Sequence, residues 1–118
     1  MNLKEVMEFK NFVVVGNTIS KDKYAYKIKE ALINNNYNVL CVGKELESIN
    51  DVSFDIDILD LCINPALGLK LLSENKKPVK VVVLQPGAAS DEIYDYLNKQ
   101  RIDYLDGCLL LGLKLYKK

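Results

Sequence analysis

The strongest constraint on the fold is a series of short apolar segments that recur along the chain. Five segments read as strands, and most of them are nearly continuously apolar instead of strictly alternating: residues 12–15, 37–42, 56–63, 79–84 and 102–105. Strands exposed on one face alternate apolar and polar residues, whereas strands covered on both faces are continuously apolar. The pattern therefore predicts a parallel sheet with helices on both of its faces.

The segments between these strands carry helix signals. One has an apolar stripe at helical spacing, formed by Ala25, Ile28, Ala31 and Leu32. The expected N-terminal caps are Ser20, Asn64 (which precedes Pro65) and Ser90. Alternation of strand and helix predicts an α/β fold, a three-layer, Rossmann-like, five-stranded parallel sheet. We expect residues 1–118 to form one domain, because this length suits a single core.

Three other segments are less regular. Residues 3–10 have the pattern of a short amphipathic helix, whereas the apolar residues 107–113 give no clear secondary structure. Residues 43–55 show no convincing helical stripe. Because this connection is so short, we expect that half of the sheet to be trimmed, with the third strand next to the first.

Composition excludes several classes of function. The 16 basic and 16 acidic residues cancel, which argues against a nucleic-acid or membrane-surface partner. The chain has no histidine and no cysteine pair at ligand spacing, so we expect neither a metal site nor an enzyme. Its three cysteines predict small buried side chains without disulfides. The absence of a signal pattern and of an apolar run of about 20 residues predicts a cytoplasmic protein.

The end of the first strand is the most suggestive place for a ligand. There an apolar run reaches Gly16 and continues through Asn17, Thr18 and Ile19 towards a helix. Such junctions present free N–H groups and the positive end of a helix dipole, which suit phosphates. The loop has one glycine where a dinucleotide fingerprint has three. If the first and third strands are neighbours, the strand order reverses between this loop and Asn64, and the ligand should bind there.

Several short motifs occur together in the order of one known family. They are Val14-Val15-Gly16-Asn17-Thr18 (V-V-G-A-S in the family), Tyr37-Asn38-Val39 (G-Y-x-V), Ile58-Leu59-Asp60-Leu61 with Pro65 (V-V-D-V-F-R-x-P-E), Leu84-Gln85-Pro86-Gly87 (W-L-Q-x-G) and Asp106-Gly107-Cys108 (D-R-C). Over residues 10–113 the chain resembles the small bacterial CoA-binding domain proteins. These are relatives of the CoA-binding domain of succinyl-CoA ligase alpha subunits.

The resemblance implies a Rossmann-like domain that binds coenzyme A or an acyl-CoA without chemistry of its own. The N–H groups of residues 16–19 would hold the pyrophosphate, and the segment after strand two would flank the adenosine. The pantetheine arm would run past the ends of the next two strands. The binding residues implied are Gly16, Asn17, Thr18 and Ile19 for the pyrophosphate, Val42 and Lys44 for the adenosine, and Asn64, Pro65, Gln85 and Gly87 for the arm.

The chain departs from the family pattern where the family has arginines. The arginine after the first loop is absent, which leaves Lys21 and Lys23, and D-R-C has Gly107 at its centre. Two alternatives to a CoA site therefore stay open. One is a degenerate scaffold that acts through protein contacts, such as a homodimer formed through residues 109–115. The other is an NAD- or nucleotide-binding protein, with Glu45 as the acid near the end of strand two, although CoA is favoured over NAD.

Three further side chains have both a structural and a functional interpretation. Tyr24 is expected to be half-buried under the first long helix, with stacking on an adenine as the alternative. Asp60, in the middle of a strand, is expected to be held by structural hydrogen bonds, because a buried carboxylate needs partners. Cys108 is expected to be buried and inert, and the alternative is a mixed disulfide with a ligand thiol.

Overall fold

The computed structural model describes residues 1–116, and its strands form one parallel sheet in the order β2-β1-β3-β4-β5. This confirms the Rossmann-like fold and the prediction that the third strand lies beside the first. The helices and strands, in chain order, are α1 (Leu3–Val6), β1 (Asn11–Gly16), α2 (Tyr24–Asn34), β2 (Asn38–Gly43), β3 (Ile56–Cys62), α3 (Pro65–Glu74), β4 (Val79–Leu84), α4 (Asp91–Lys99), β5 (Asp103–Asp106) and α5 (Leu109–Tyr116).

Each face of the sheet is covered by its own apolar core, as the continuous apolar strands predict. On one face Val14, Ile58 and Val83 pack against α1, α2 and α5. On the other face Val15 and Leu61 pack under α3 and α4. Alternate residues of each strand therefore enter opposite cores, which fixes the register of the whole sheet.

Two of the three predicted helix caps are confirmed. The Asn64 side chain accepts a hydrogen bond from the Leu67 N–H (2.9 Å), with Pro65 in the first helical turn, and Ser90 accepts from the Ile93 N–H (3.2 Å). The prediction for Ser20 is wrong, because α2 begins only at Tyr24. The carbonyl of Ser20 instead accepts from the Lys23 N–H (3.0 Å), so a turn precedes the helix.

The structure also defines the three segments whose sequence pattern is less regular. The connection after β2 contains only a single 3₁₀ turn, Ile49–Asp51, and the amino-terminal helix α1 is shorter than residues 3–10 suggest. The apolar residues near the carboxyl terminus enter α5, which buries Leu109 and Leu113 in the chain's own core and leaves Leu111 exposed. A homodimer through this helix stays a prediction. Within the described residues, no helix is both long enough and apolar enough to cross a membrane.

Candidate functional site

At their carboxyl ends, the backbones of β2, β1 and β3 pack closely against one another. Gly16 is paired with Gly43 on one side and with Cys62 on the other. A Cβ atom on Gly16 would lie 2.3 Å from the Cys62 carbonyl oxygen, and one on Gly43 would lie 2.9 Å from the Gly16 oxygen. Both glycines have positive φ angles, +153° and +122°. Glycine is therefore required at this edge for close packing, whether or not a ligand binds there.

Asn17 organises the loop after β1. Its Oδ1 atom accepts hydrogen bonds from the N–H groups of Ile19 (3.2 Å) and Ser20 (3.1 Å), and its Nδ2 atom donates to the Ser20 hydroxyl (3.2 Å). The Ile19 N–H, one of the expected phosphate donors, is thus already used. The first turn of α2 has no side-chain cap from any described residue, so the N–H groups of that turn remain available to a ligand.

A polar network joins this loop to the segment after β2. Thr18 is fully buried, and its hydroxyl donates to Oε2 of Glu45 (2.5 Å), which also accepts from Lys29 Nζ (3.0 Å). Burial by itself would raise the pKa of Glu45, but the hydrogen bonds from Thr18 and Lys29 outweigh it and lower the pKa. Glu45 is therefore ionised at neutral pH and tethers the two loops, a role that the sequence did not indicate.

The predicted residues after β2 and β3 differ in what they can offer a ligand. The Val42 side chain is fully buried in the core, so only its backbone faces the edge, whereas Lys44 is exposed. Asn64 uses its side-chain oxygen to cap α3, and Pro65 is half-buried behind it. Beside these residues is a shallow pocket of about 220 Å³, lined by Gly43, Glu47, Ile63, Leu67, Lys70, Leu71 and Glu74.

A second pocket lies past the ends of β3 and β4. It measures about 170 Å³ and is lined by Tyr24, Cys62, Gln85, Pro86 and Cys108. Tyr24 is 64% exposed, so the expectation that it is half-buried is wrong. Gln85 is almost fully buried, while Gly87, in the next turn at φ +89°, faces open space and does not line the pocket.

The cysteines only partly follow the prediction. Cys41 is buried, and burial raises its pKa to about 11, with Glu45 adding to the effect. Cys62 and Cys108 are half-buried instead of buried, because both border the pocket at the ends of the strands. None of the three forms a disulfide. In residues 1–116, no group of three or more acidic, cysteine or histidine side chains could hold a metal ion.

Asp60 contradicts the expectation of structural hydrogen bonds. It is fully buried in β3 between Val14 and Val83, and neither carboxyl oxygen has a hydrogen-bond partner among the described residues. Both neighbours are apolar core residues that offer no donor. Burial, with a smaller effect from Cys108, raises the pKa of Asp60 well above its usual value. Burial thus favours the protonated form of Asp60, which lies on β3 two residues before Cys62, a residue that lines the second pocket.

The chain is similar to known proteins over nearly its whole length. A model of the CoA binding domain family matches residues 10–114. A conserved hypothetical protein from Pyrococcus furiosus is 28% identical, with a TM-score of 0.79, and the match covers 87% of this chain and 98% of that one. A protein from Thermus thermophilus has a TM-score of 0.83 at 23% identity, covering 97% and 98% of the two chains.

A hypothetical protein from Pyrococcus horikoshii OT3 has a TM-score of 0.84 at 18% identity, covering 98% of this chain and 92% of the other. At this level of identity, the Thermus thermophilus and Pyrococcus horikoshii structures show a common fold and nothing finer. No curated protein matches the sequence significantly.

Proposed function

The chain belongs to the family of CoA binding domains, and from this premise we propose that it binds coenzyme A or an acyl-CoA without catalysing a reaction. The observation that carries the proposal is the family match over residues 10–114, which includes every candidate binding residue. The site would be the carboxyl edge of the sheet beside β1, where the strand order reverses.

The pyrophosphate would lie over the loop after β1. Gly16 itself is buried against Cys62 and Ala25, so the pyrophosphate would contact the residues that follow it and not Gly16 directly. The uncapped first turn of α2 presents free N–H groups and the positive end of its dipole to an anion. Lys21 and Lys23, both exposed, stand on the same loop where the related family has an arginine. They supply positive charge without the two-pronged geometry of a guanidinium group.

The rest of the ligand would extend to either side of this loop. The adenosine would lie towards Lys44, next to the shallow pocket after β2. The pantetheine arm would lie towards Gln85 and the second pocket. Glu45 supports CoA over NAD, because Thr18 and Lys29 both occupy one of its oxygens. It is tied to the loop and is not free to offer both oxygens to a ribose diol.

Thermal unfolding with CoA, acetyl-CoA, NAD and ATP tests this proposal. A ligand at 100 times its dissociation constant stabilises the folded state by about 2.7 kcal/mol. We expect such a shift with CoA and acetyl-CoA, and a smaller one with the Lys44→Ala variant at the same ligand concentration. Lys99→Ala, at the far end of α4, is the matched control and should respond like the wild type. No shift with millimolar CoA, or a shift with NAD or ATP alone, would refute the proposal.

A further inference from the structure

Two of the three cysteine thiols meet at the second pocket. Cys62 is the last residue of β3, and Cys108 directly precedes α5, 46 positions later in the numbering. The two thiols are close enough for a charge on Cys108 to raise the pKa of Cys62. The sheet and α5 therefore bring together two sulfur atoms that are far apart in the sequence.

The same pocket contains an oriented amide whose nitrogen has no hydrogen-bond partner among the described residues. Gln85 is 4% exposed, and its Oε1 atom accepts from the Leu109 N–H (2.9 Å) at the start of α5. This bond fixes the amide so that Nε2 is its donor, and Nε2 has no hydrogen bond to any residue in the described part of the chain. Among the described residues, the fully buried side-chain atoms without a hydrogen bond are the two Asp60 oxygens, so the unpaired Nε2 atom is accessible from the pocket. The Gln85 amide is thus placed to donate to a carbonyl or amide oxygen of a ligand.

The two thiols differ in their surroundings. Burial raises the pKa of Cys62 to about 11, and Asp60 and Cys108 both add to the effect. Cys62 therefore stays protonated at neutral pH, and a protonated thiol is a poor nucleophile. Cys108 lies outside the sheet, at the amino end of α5, where the Gly112 N–H donates to its carbonyl (3.1 Å). It lines the same pocket as Cys62 and is the other sulfur that a ligand there would reach.

We propose that this pocket takes the sulfur end of the pantetheine arm and that Cys108 captures it as a mixed disulfide when the ligand arrives as CoA disulfide. The proposal rests on the proposed CoA site. The Cys108 thiolate attacks one sulfur of the CoA disulfide, forming a bond from Sγ to that sulfur while the bond between the two CoA sulfurs breaks. The second CoA leaves as a thiolate and takes a proton from water. Cys108 is oxidised, and the released CoA sulfur is reduced.

Mass spectrometry of the wild-type protein tests the proposal directly. The full chain is incubated with CoA disulfide or, separately, with glutathione disulfide, and the intact mass is followed over time. We expect one CoA per chain, added about tenfold faster or more than glutathione, because binding raises the effective concentration of the disulfide at Cys108. Trypsin cleaves after Lys44, Lys70 and Arg101, so each cysteine falls on a separate peptide and the modified one is identified without any variant.

Variants and a binding measurement complete the test. Cys108→Ser should abolish the modification, whereas Cys41→Ser, a change at a buried cysteine away from the pocket, should react like the wild type. Equal rates with the two disulfides, modification at Cys62, or no modification would overturn the proposal. Calorimetric titration with CoA under reducing conditions separates the two proposals. Binding without modification refutes the exchange alone, and loss of binding refutes the CoA site itself.

Discussion

Replacing Asp60 should stabilise the protein. This carboxyl is fully buried in β3 and has no hydrogen-bond partner within residues 1–116, and its neighbours on the adjacent strands are Val14 and Val83. A buried polar group without a partner costs about 1–3 kcal/mol in proteins. Asp60→Val continues the valine row across the sheet, so we expect it to raise the free energy of unfolding by about that amount. For a chain of this size, that corresponds to about 3–5 °C in Tm per kcal/mol.

The pH dependence provides a second and sharper test. Asp60 has a raised pKa in the folded state, whereas in the unfolded chain it loses its proton near pH 3.9. The folded protein therefore binds more protons, so the contribution of Asp60 to stability is full below about pH 3.9 and falls as the pH rises towards the folded-state pKa. Asp60→Asn removes this titration. The free energy of unfolding of the Asn variant, relative to that of the wild type, should therefore increase as the pH rises above about 4.

Urea unfolding of the wild type, Asp60→Asn and Asp60→Val at several pH values measures both effects. Asp95→Asn, at an exposed position on α4, is the matched control and should leave stability nearly unchanged at every pH. Glu45 and Asp57 have lowered pKa values, which make the protein less stable as the pH falls, but they are common to all variants and cancel in the differences. A constant difference between wild type and Asp60→Asn, or a destabilising Asp60→Val, would refute the reasoning.

Three further substitutions probe the edge of the sheet. Gly16→Ala places a Cβ atom against the Cys62 carbonyl oxygen at a positive φ. Thermal unfolding should show a loss of stability greater than the roughly 1–3 kcal/mol that backbone strain alone costs. Gly87→Ala, whose Cβ atom would lie in open space, should lose only the amount due to strain. Asn64→Ala removes the cap of α3 and should cost about 1 kcal/mol in urea unfolding; no loss would argue against the cap. Thr18→Val removes one hydrogen bond that lowers the pKa of Glu45, so acid unfolding should begin at a higher pH; an unchanged midpoint would contradict this.

The sequence by itself was enough to predict the architecture, and it placed the proposed ligand site at one edge of the sheet. Continuous apolar strands require cover on both faces, which leaves few alternatives to a parallel sheet between helices. The caps at Asn64 and Ser90 were predictable because the donor and acceptor are three residues apart. The short connection after β2 predicted the strand order, and the order placed the candidate site at the edge beside Gly16.

The tertiary structure alone decided which side chains share that edge. A turn from Ser20 to Lys23 precedes α2 where a cap was predicted, and Glu45 bonds to both Thr18 and Lys29. Cys62 and Cys108 line one pocket, and Asp60 has no hydrogen-bond partner within residues 1–116. Each of these outcomes except the first depends on residues from different strands or helices. A pattern read along the chain reports burial and local hydrogen bonds. It does not report the distance between side chains that the sheet register and helix packing bring together.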